Sequence, residues 1–292
     1  MSATRYVVAS TVEEAVRLLA SDPQARLLAG GYNLLLPKKR HEIAGSLLID
    51  LHKLEGLASI QLQPDGSLKI GAMTTIGTIG SDEVVRDRFP ALAEAAELVG
   101  DAQVRNRATL GGSLAASEAD SDMTAVMLAL DAQLLLNGPG GSRTVPADQF
   151  FTGPQQTALR HDEILTSVIL APLPSGSGIA YEKFKHPATL YALCGVAAAA
   201  TLAKNGIITA VRIGATGALS YATRLRSVEA ALSNKASDDG ALSSIPTALQ
   251  GSLSPKELTF QDDFFASAEY RRHLLGVLTR RALKRALERA AA

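Results

Sequence analysis

Apolar positions recur along this chain in distinct rhythms, and each rhythm predicts a different kind of element. Tyr6-Val7-Val8, Arg26-Leu27-Leu28-Ala29 and Ser46-Leu47-Leu48-Ile49-Asp50 are short apolar runs, the pattern of buried strands. Between the first two, Ser10 and Glu13 have the spacing of a capping box and predict a helix to about Ala20. Together these segments predict a small β-α-β unit over residues 1–57.

The pattern then changes to alternation. Ser59–Gln63 and Ser67–Gly71 flank Pro64-Asp65-Gly66, which predicts a hairpin. Ser81-Asp82-Glu83 caps a predicted helix, Pro90 opens another to about Val99, and Ser121-Asp122 caps a strongly apolar one from Met123 to Leu130. A strand at Ala132–Leu136, a turn at Asn137–Gly141 with a loop to Asp148, and a strand at Glu163–Leu170 follow. The Pro/Ser/Gly cluster Pro172–Gly178 predicts a boundary. Beyond it the pattern predicts strands at Ala180–Lys185, Leu193–Leu202 and Ile207–Gly214, a helix at Tyr221–Leu232 and a polar loop at Ser233–Pro255. The closing helix, Ser267–Ala292, has Leu274, Leu275, Leu278, Ala282, Leu283 and Ala286 at helical spacing. The fold class is therefore α+β. Residues 1–174 form a two-part domain, with the β-α-β unit followed by a larger mixed α/β subdomain at 58–174, and residues 179–292 form an antiparallel sheet with helices.

Composition narrows the chemistry. The 292 residues hold 29 Lys plus Arg and 29 Asp plus Glu, so nothing recommends a nucleic-acid or anionic-membrane partner. Aromatics make up 4% against 47% hydrophobic overall, and Trp is absent, which leaves few stacking platforms for single-stranded nucleic acid. No leader pattern opens the chain and no apolar run reaches the roughly 18 residues of a membrane span, so a soluble, cytoplasmic protein is expected. The single cysteine, Cys194, sits in an apolar run as a core residue and excludes an iron–sulfur cluster or cysteine-type zinc site within this chain. His41, His52, His161, His186 and His273 lack the i, i+4 spacing of a helical metal site. Any redox chemistry must come from an organic cofactor.

Two glycine pairs carry the candidate chemistry: Leu28-Ala29-Gly30-Gly31-Tyr32-Asn33-Leu34 and Ala108-Thr109-Leu110-Gly111-Gly112-Ser113-Leu114. Glycines in such turns allow positive φ and close approach, and successive free amides make a nest for phosphate oxygens. Two such turns, each with a small polar residue behind it, suit the two phosphates of a dinucleotide. A Rossmann turn is absent: Gly214-Ala215-Thr216-Gly217 lacks the middle glycine, and Gly176-Ser177-Gly178 follows no strand. No glycine is followed by Lys-Ser or Lys-Thr, so a Walker loop is absent too.

The chain resembles the FAD-binding medium subunits of the molybdenum hydroxylases, typified by carbon monoxide dehydrogenase and related to the flavin domain of xanthine dehydrogenase. The resemblance rests on Ala29–Leu35, Ile70–Thr75, Gln103–Ala115 and Asp122–Asp131, with Glu163–Leu165, Tyr181–Lys185, Tyr191–Ala197 and Tyr270–Leu274 in the second half. It implies that Ala29, Gly30, Gly31, Tyr32, Asn33 and Leu34 wrap one part of the FAD pyrophosphate, and Thr109, Gly111, Gly112 and Ser113 the other. It implies that Asp122 accepts a hydrogen bond from the adenosine side, that the backbone near Leu165 lines the flavin pocket, and that Lys185 sits near the isoalloxazine. From the residues alone, Asp122 reads equally as a helix cap, Lys185 as a solvated strand residue, and Thr109 and Ser113 as turn formers. The chain departs from the family at Ala108, where glycine is usual, at Glu118-Ala119, where Asp-Pro is usual, and over Leu36–Arg40, about one residue shorter.

No general acid–base dyad or activated nucleophile is evident. The resemblance implies the flavoprotein subunit of a molybdenum hydroxylase that passes electrons to an external acceptor. A large molybdopterin subunit and a small subunit with 2Fe–2S clusters are its implied partners, in a dimer of heterotrimers. The alternative is a non-catalytic assembly subunit of the same fold that has lost its flavin.

Overall fold

In the computed structural model, residues 3–35, 43–252 and 259–292 are described; the shortened stretch Leu36–Arg40 and His41 lie outside them. The first unit is β1 (Arg5–Val8), α1 (Val12–Ser21), β2 (Arg26–Leu28) and β3 (Leu47–Asp50), with all three strands parallel and β3 in the centre. Its helix begins one residue later than predicted. Thr11 is the cap, accepting from Glu14 N, while the Glu14 carboxylate accepts from Ser10 N, so the reciprocal pairing survives with the register moved. Ala15, Val16 and Leu19 bury one face of α1 against this sheet.

The second unit is built on an antiparallel sheet of order β4 (Ile60–Leu62), β5 (Leu68–Gly71), β10 (Ile164–Leu170), β6 (Gln133–Gly138), β7 (Gly141–Pro146). β7 replaces the predicted loop before Asp148. Only Val145 of Gly141-Ser142-Arg143-Thr144-Val145-Pro146 is buried, so this edge strand carries almost no apolar signal. Between β5 and β6 come α2 (Ile76–Ser81), α3 (Glu83–Arg88), α4 (Pro90–Leu98), the short α5 (Ala102–Arg105), α6 (Leu110–Ala116) and α7 (Asp122–Ala129). All eight residues of α7 are buried, hence its apolar run. The short α8 (Ala147–Phe150), β8 (Phe151–Gly153) and β9 (Gln156–Thr157) lead into β10.

The third unit is a four-stranded antiparallel sheet of β11 (Ser177–Lys185), β12 (Ala192–Leu202), β13 (Ile208–Thr216) and β14 (Thr223–Arg224). The predicted helix from Tyr221 is corrected here. Thr223 and Arg224 pair with β13, and α9 (Arg226–Leu232) starts after Leu225, whose ψ of 64° is not helical. The predicted polar loop after Ser233 also contains two helices, α10 (Asp239–Ser243), capped by Asp238, and α11 (Ile245–Ser252). Among the described side chains they bury Leu242, Ile245 and Leu249, too thin a stripe to stand out in the sequence. The closing helix α12 (Ala268–Ala291), capped by Ser267, lays its apolar stripe across this sheet.

The largest core runs through the second unit and continues into Ile179, Tyr181 and Ala197 of the third. A polar clamp reinforces the seam: Glu94 on α4 accepts from Arg285 (2.8 Å), from Arg289 and from the Tyr181 amide.

Candidate cofactor site

The loop leaving β2 and the start of α6 meet to form one wall of a cavity of about 570 Å³, within the range of cofactor clefts. Gly30 makes that meeting possible, because a Cβ there would stand 1.8 Å from the Arg107 carbonyl oxygen. Gly31 acts through its backbone instead, since its φ of +77° lies in the left-handed region and turns the chain into the cavity. Leu35 N closes this turn on Gly31 O (3.0 Å), while the amides of Gly30, Gly31, Tyr32, Asn33 and Leu34 donate to no other described residue.

The second glycine pair opens a helix, where the sequence pattern suggested a turn. Thr109 is the cap of α6, and its hydroxyl accepts from Gly112 N (3.2 Å); Leu110 N donates to Thr74 O and Gly111 N to Ala72 O. The amides expected to form a second nest are thus largely engaged within the protein. This side offers instead the hydroxyls of Thr109 and Ser113 and a surface free of side chains. Amides without a partner among the described residues on one side, and hydroxyls at a helix start on the other, suit a pyrophosphate, so the residues fit FAD.

Ala29, Gly30, Gly31, Tyr32, Asn33, Leu34, Thr109, Gly111, Gly112, Ser113, Asp122 and Leu165 all line this one cavity. Lys185 does not. The β11–β12 register shifts between Phe184 and Lys185, and Lys185 ends exposed at the strand terminus. Two residues earlier, Lys183, with its side chain 1% exposed, reaches the cavity-lining Asp122 from behind. Its Nζ donates to Asp122 Oδ2 (2.8 Å) and to Leu98 O (3.0 Å), and Tyr181 Oη donates to Asp122 Oδ1. Asp122 is therefore no cap. Burial pushes its carboxyl up, opposed by the Lys183 charge and the hydrogen bonds from Lys183 and Tyr181. Burial first, and then Asp122, push the Tyr181 phenol well above its ordinary value.

Arg105 and Arg107 flank the second loop without lining the cavity. Arg105 donates to the carbonyls of Val99 and Gly100, and Arg107 to that of Gly30, so both hold backbone. Three contributors escaped the sequence reading. Tyr191 lines the cavity and donates its hydroxyl to that of Tyr32 (2.9 Å), the two rings meeting edge to face. His161 places Nε2 at 3.1 Å from Leu19 O and 3.0 Å from Asp22 O, so that nitrogen carries the proton and ties the end of α1 to the turn before β10. Glu163, buried at the cavity edge, takes a two-pronged hydrogen bond from Arg143 (2.6 and 2.7 Å), which holds its carboxyl below the ordinary range. Glu163 and Tyr191 open segments that carry the family resemblance and His161 stands alone in the sequence, but none was given a site role, and only the fold brings them to the cavity. Among the described residues no group of three or more His, Cys, Asp or Glu is placed to hold a metal, and no helix is long and apolar enough to cross a membrane.

Residues 2–174 match the family described as the FAD binding domain in molybdopterin dehydrogenase, and residues 179–286 the CO dehydrogenase flavoprotein C-terminal domain. The chain is 35% identical to the carbon monoxide dehydrogenase medium chain of Hydrogenophaga pseudoflava, over 98% of both chains. It is 32% identical to a xanthine dehydrogenase FAD-binding subunit of Escherichia coli, over 98% of this chain and 96% of that one. Among solved structures it superposes on the Hydrogenophaga pseudoflava carbon monoxide dehydrogenase with a TM-score of 0.91 at 34% identity, covering 98% of each chain. It superposes on quinoline 2-oxidoreductase of Pseudomonas putida with a TM-score of 0.88 at 29% identity, covering 99% of each. The chain belongs to the FAD-binding medium subunits of the molybdenum hydroxylases.

Proposed function

We propose that this chain holds FAD in the cavity between its two glycine loops and serves as the flavin subunit of a three-component molybdenum hydroxylase, passing electrons from partner 2Fe–2S clusters to an external acceptor. The partners are a large molybdopterin subunit and a small iron–sulfur subunit, in a dimer of heterotrimers. The observation that carries the reading is that both loops wall a single cavity. Bound FAD supplies one- and two-electron redox chemistry; the protein supplies binding, orientation and electrostatics.

Each group in the wall suits one part of the cofactor. The amides of Gly30–Leu34 and the Thr109 and Ser113 hydroxyls bind phosphate oxygens, and the Asp122 carboxylate accepts from a hydroxyl on the adenosine side. Leu165, buried at the start of β10, presents backbone and apolar surface to the ring systems. The Tyr32–Tyr191 pair closes one side of the cavity against water.

The test is the visible spectrum of the purified full chain after FAD is added and the excess removed. Flavin bands that are retained, and lost in Gly31→Val and Gly112→Val, support the reading. A folded chain that stays colourless alone and with co-expressed partners overturns it in favour of an assembly subunit.

A further inference from the structure

We infer that Lys183 is a positioning residue for the cofactor: from behind the cavity wall it pairs with the Asp122 carboxylate and fixes its direction. The inference rests on the proposed FAD site and adds to it a residue that never touches the cavity.

The geometry is specific. Lys183 comes from β11, beyond the Pro172–Gly178 segment, yet its ammonium group lies between the ends of two helices of the second unit. On one side it donates to Leu98 O at the end of α4, and on the other to Asp122 Oδ2 at the start of α7. A cation at a helix C-terminus and an anion at an N-terminus both suit the helix dipoles. Val99, which follows Leu98, lines the cavity, as does Asp122; Lys183 thus fixes two wall residues at once.

A buried ion pair is weak evidence for stability, because apolar residues of similar volume often serve the fold as well. With 1% of the lysine side chain and 4% of the aspartate exposed, this pair is almost wholly buried. Its carboxylate is the end that borders the cavity, and the lysine supplies the charge that offsets burial of that carboxylate. Tyr181 fixes the other oxygen, so the carboxylate is held at both atoms. The charge pair therefore serves the cavity wall, where an ionised acceptor is needed, more than the core behind it.

The experiment compares wild type, Lys183→Met and the double variant Asp122→Asn/Lys183→Met, each as the full chain co-expressed with its partner subunits. FAD affinity is read by flavin fluorescence titration and stability by thermal melting of the FAD-free protein. Lys183→Met strands a buried carboxylate and is expected to melt lower and to bind FAD roughly tenfold or more weakly. Its affinity is further expected to begin falling at a higher pH than that of wild type as the solution is acidified, because losing the Lys183 charge removes the largest influence that opposes burial of the Asp122 carboxyl. The titratable groups that face the Asp122 carboxyl are Tyr181 and Lys183 on β11, and Glu118 and Asp120 in the segment before α7 line the same cavity. The double variant removes both charges: its melting is expected to recover while FAD affinity stays weakened. A double variant that binds FAD like wild type overturns the inference and leaves the FAD site standing. A wild type that takes up no FAD overturns both.

Discussion

A methyl group on Gly30 would meet backbone at 1.8 Å, whereas one on Gly31 meets only leucine side-chain atoms, the nearest at 3.1 Å, but in left-handed backbone. The two neighbours should therefore respond differently. Gly30→Ala is expected to separate the two loops, lowering the melting temperature sharply and abolishing FAD retention. Gly31→Ala is expected to cost about 1 kcal/mol of strain with the site intact. Melting curves and FAD titration of both variants check this. Glu163 gives a pH prediction. Its carboxyl is held down first by the Arg143 hydrogen bond, so its folded pKa lies below the ordinary 4.5. The stability it contributes is present above pH 4.5 and is lost as pH falls through the folded value. Glu163→Gln is expected to lose about 2 kcal/mol at neutral pH and to show a shallower acid limb than wild type in denaturant melts at pH ~5 to ~3. At this scale the glycine pairs and Asp122 were legible, because residue types with unusual backbone or charge announce themselves. Lys183 was hidden behind Lys185: both alternate onto one face of a strand, and the register shift that separates them has no sequence signature.

Helix α6 shows how an element can carry a site without looking like one. Its seven residues include two glycines, poor helix formers, and the helix is held by its Thr109 cap and by the bonds of its first amides to Ala72 and Thr74. Thr109→Ala is expected to cost about 1 kcal/mol and to weaken FAD binding, while Thr109→Ser, which keeps the hydroxyl, retains most of both. Thermal melts with and without FAD separate the two effects. The long regular elements were readable because their apolar period is continuous, as along α12. Elements made by tertiary context were not: β14 exists because Thr223 and Arg224 reach β13, and the bidentate Arg224–Glu229 pair then fixes where α9 begins. The same holds for β7, whose partner β6 supplies the ladder its own polar sequence does not advertise.

For the molecule as a whole, the Pro/Ser/Gly cluster at 172–178 reads in sequence as a divider, while the side-chain core runs across it through Ile179, Tyr181 and Ala197. Arg285 and Arg289 on the last helix reach Glu94 near the middle of the chain. Residues 1–174 expressed alone are therefore expected to expose apolar surface, bind a hydrophobic dye and melt without a cooperative transition. A sharp melt of that fragment would show that the seam is dispensable. A chain segment rich in turn formers marks where strands stop; it carries no information on whether the faces on either side are covered by each other.

Cys194 lies fully buried in β12, with burial pushing its thiol up to about 12. Because thiolate is the reactive form, the folded chain presents no nucleophile to maleimides or methanethiosulfonates, although unfolding releases one thiol. The natural sequence is in this sense already a blank background for site-directed labelling. A pair of cysteines at the exposed positions Leu35 and Thr189 would carry spin labels on the segments that bear Tyr32 and Tyr191. Dipolar spectroscopy on that pair would measure directly whether the two tyrosines part when the cavity fills.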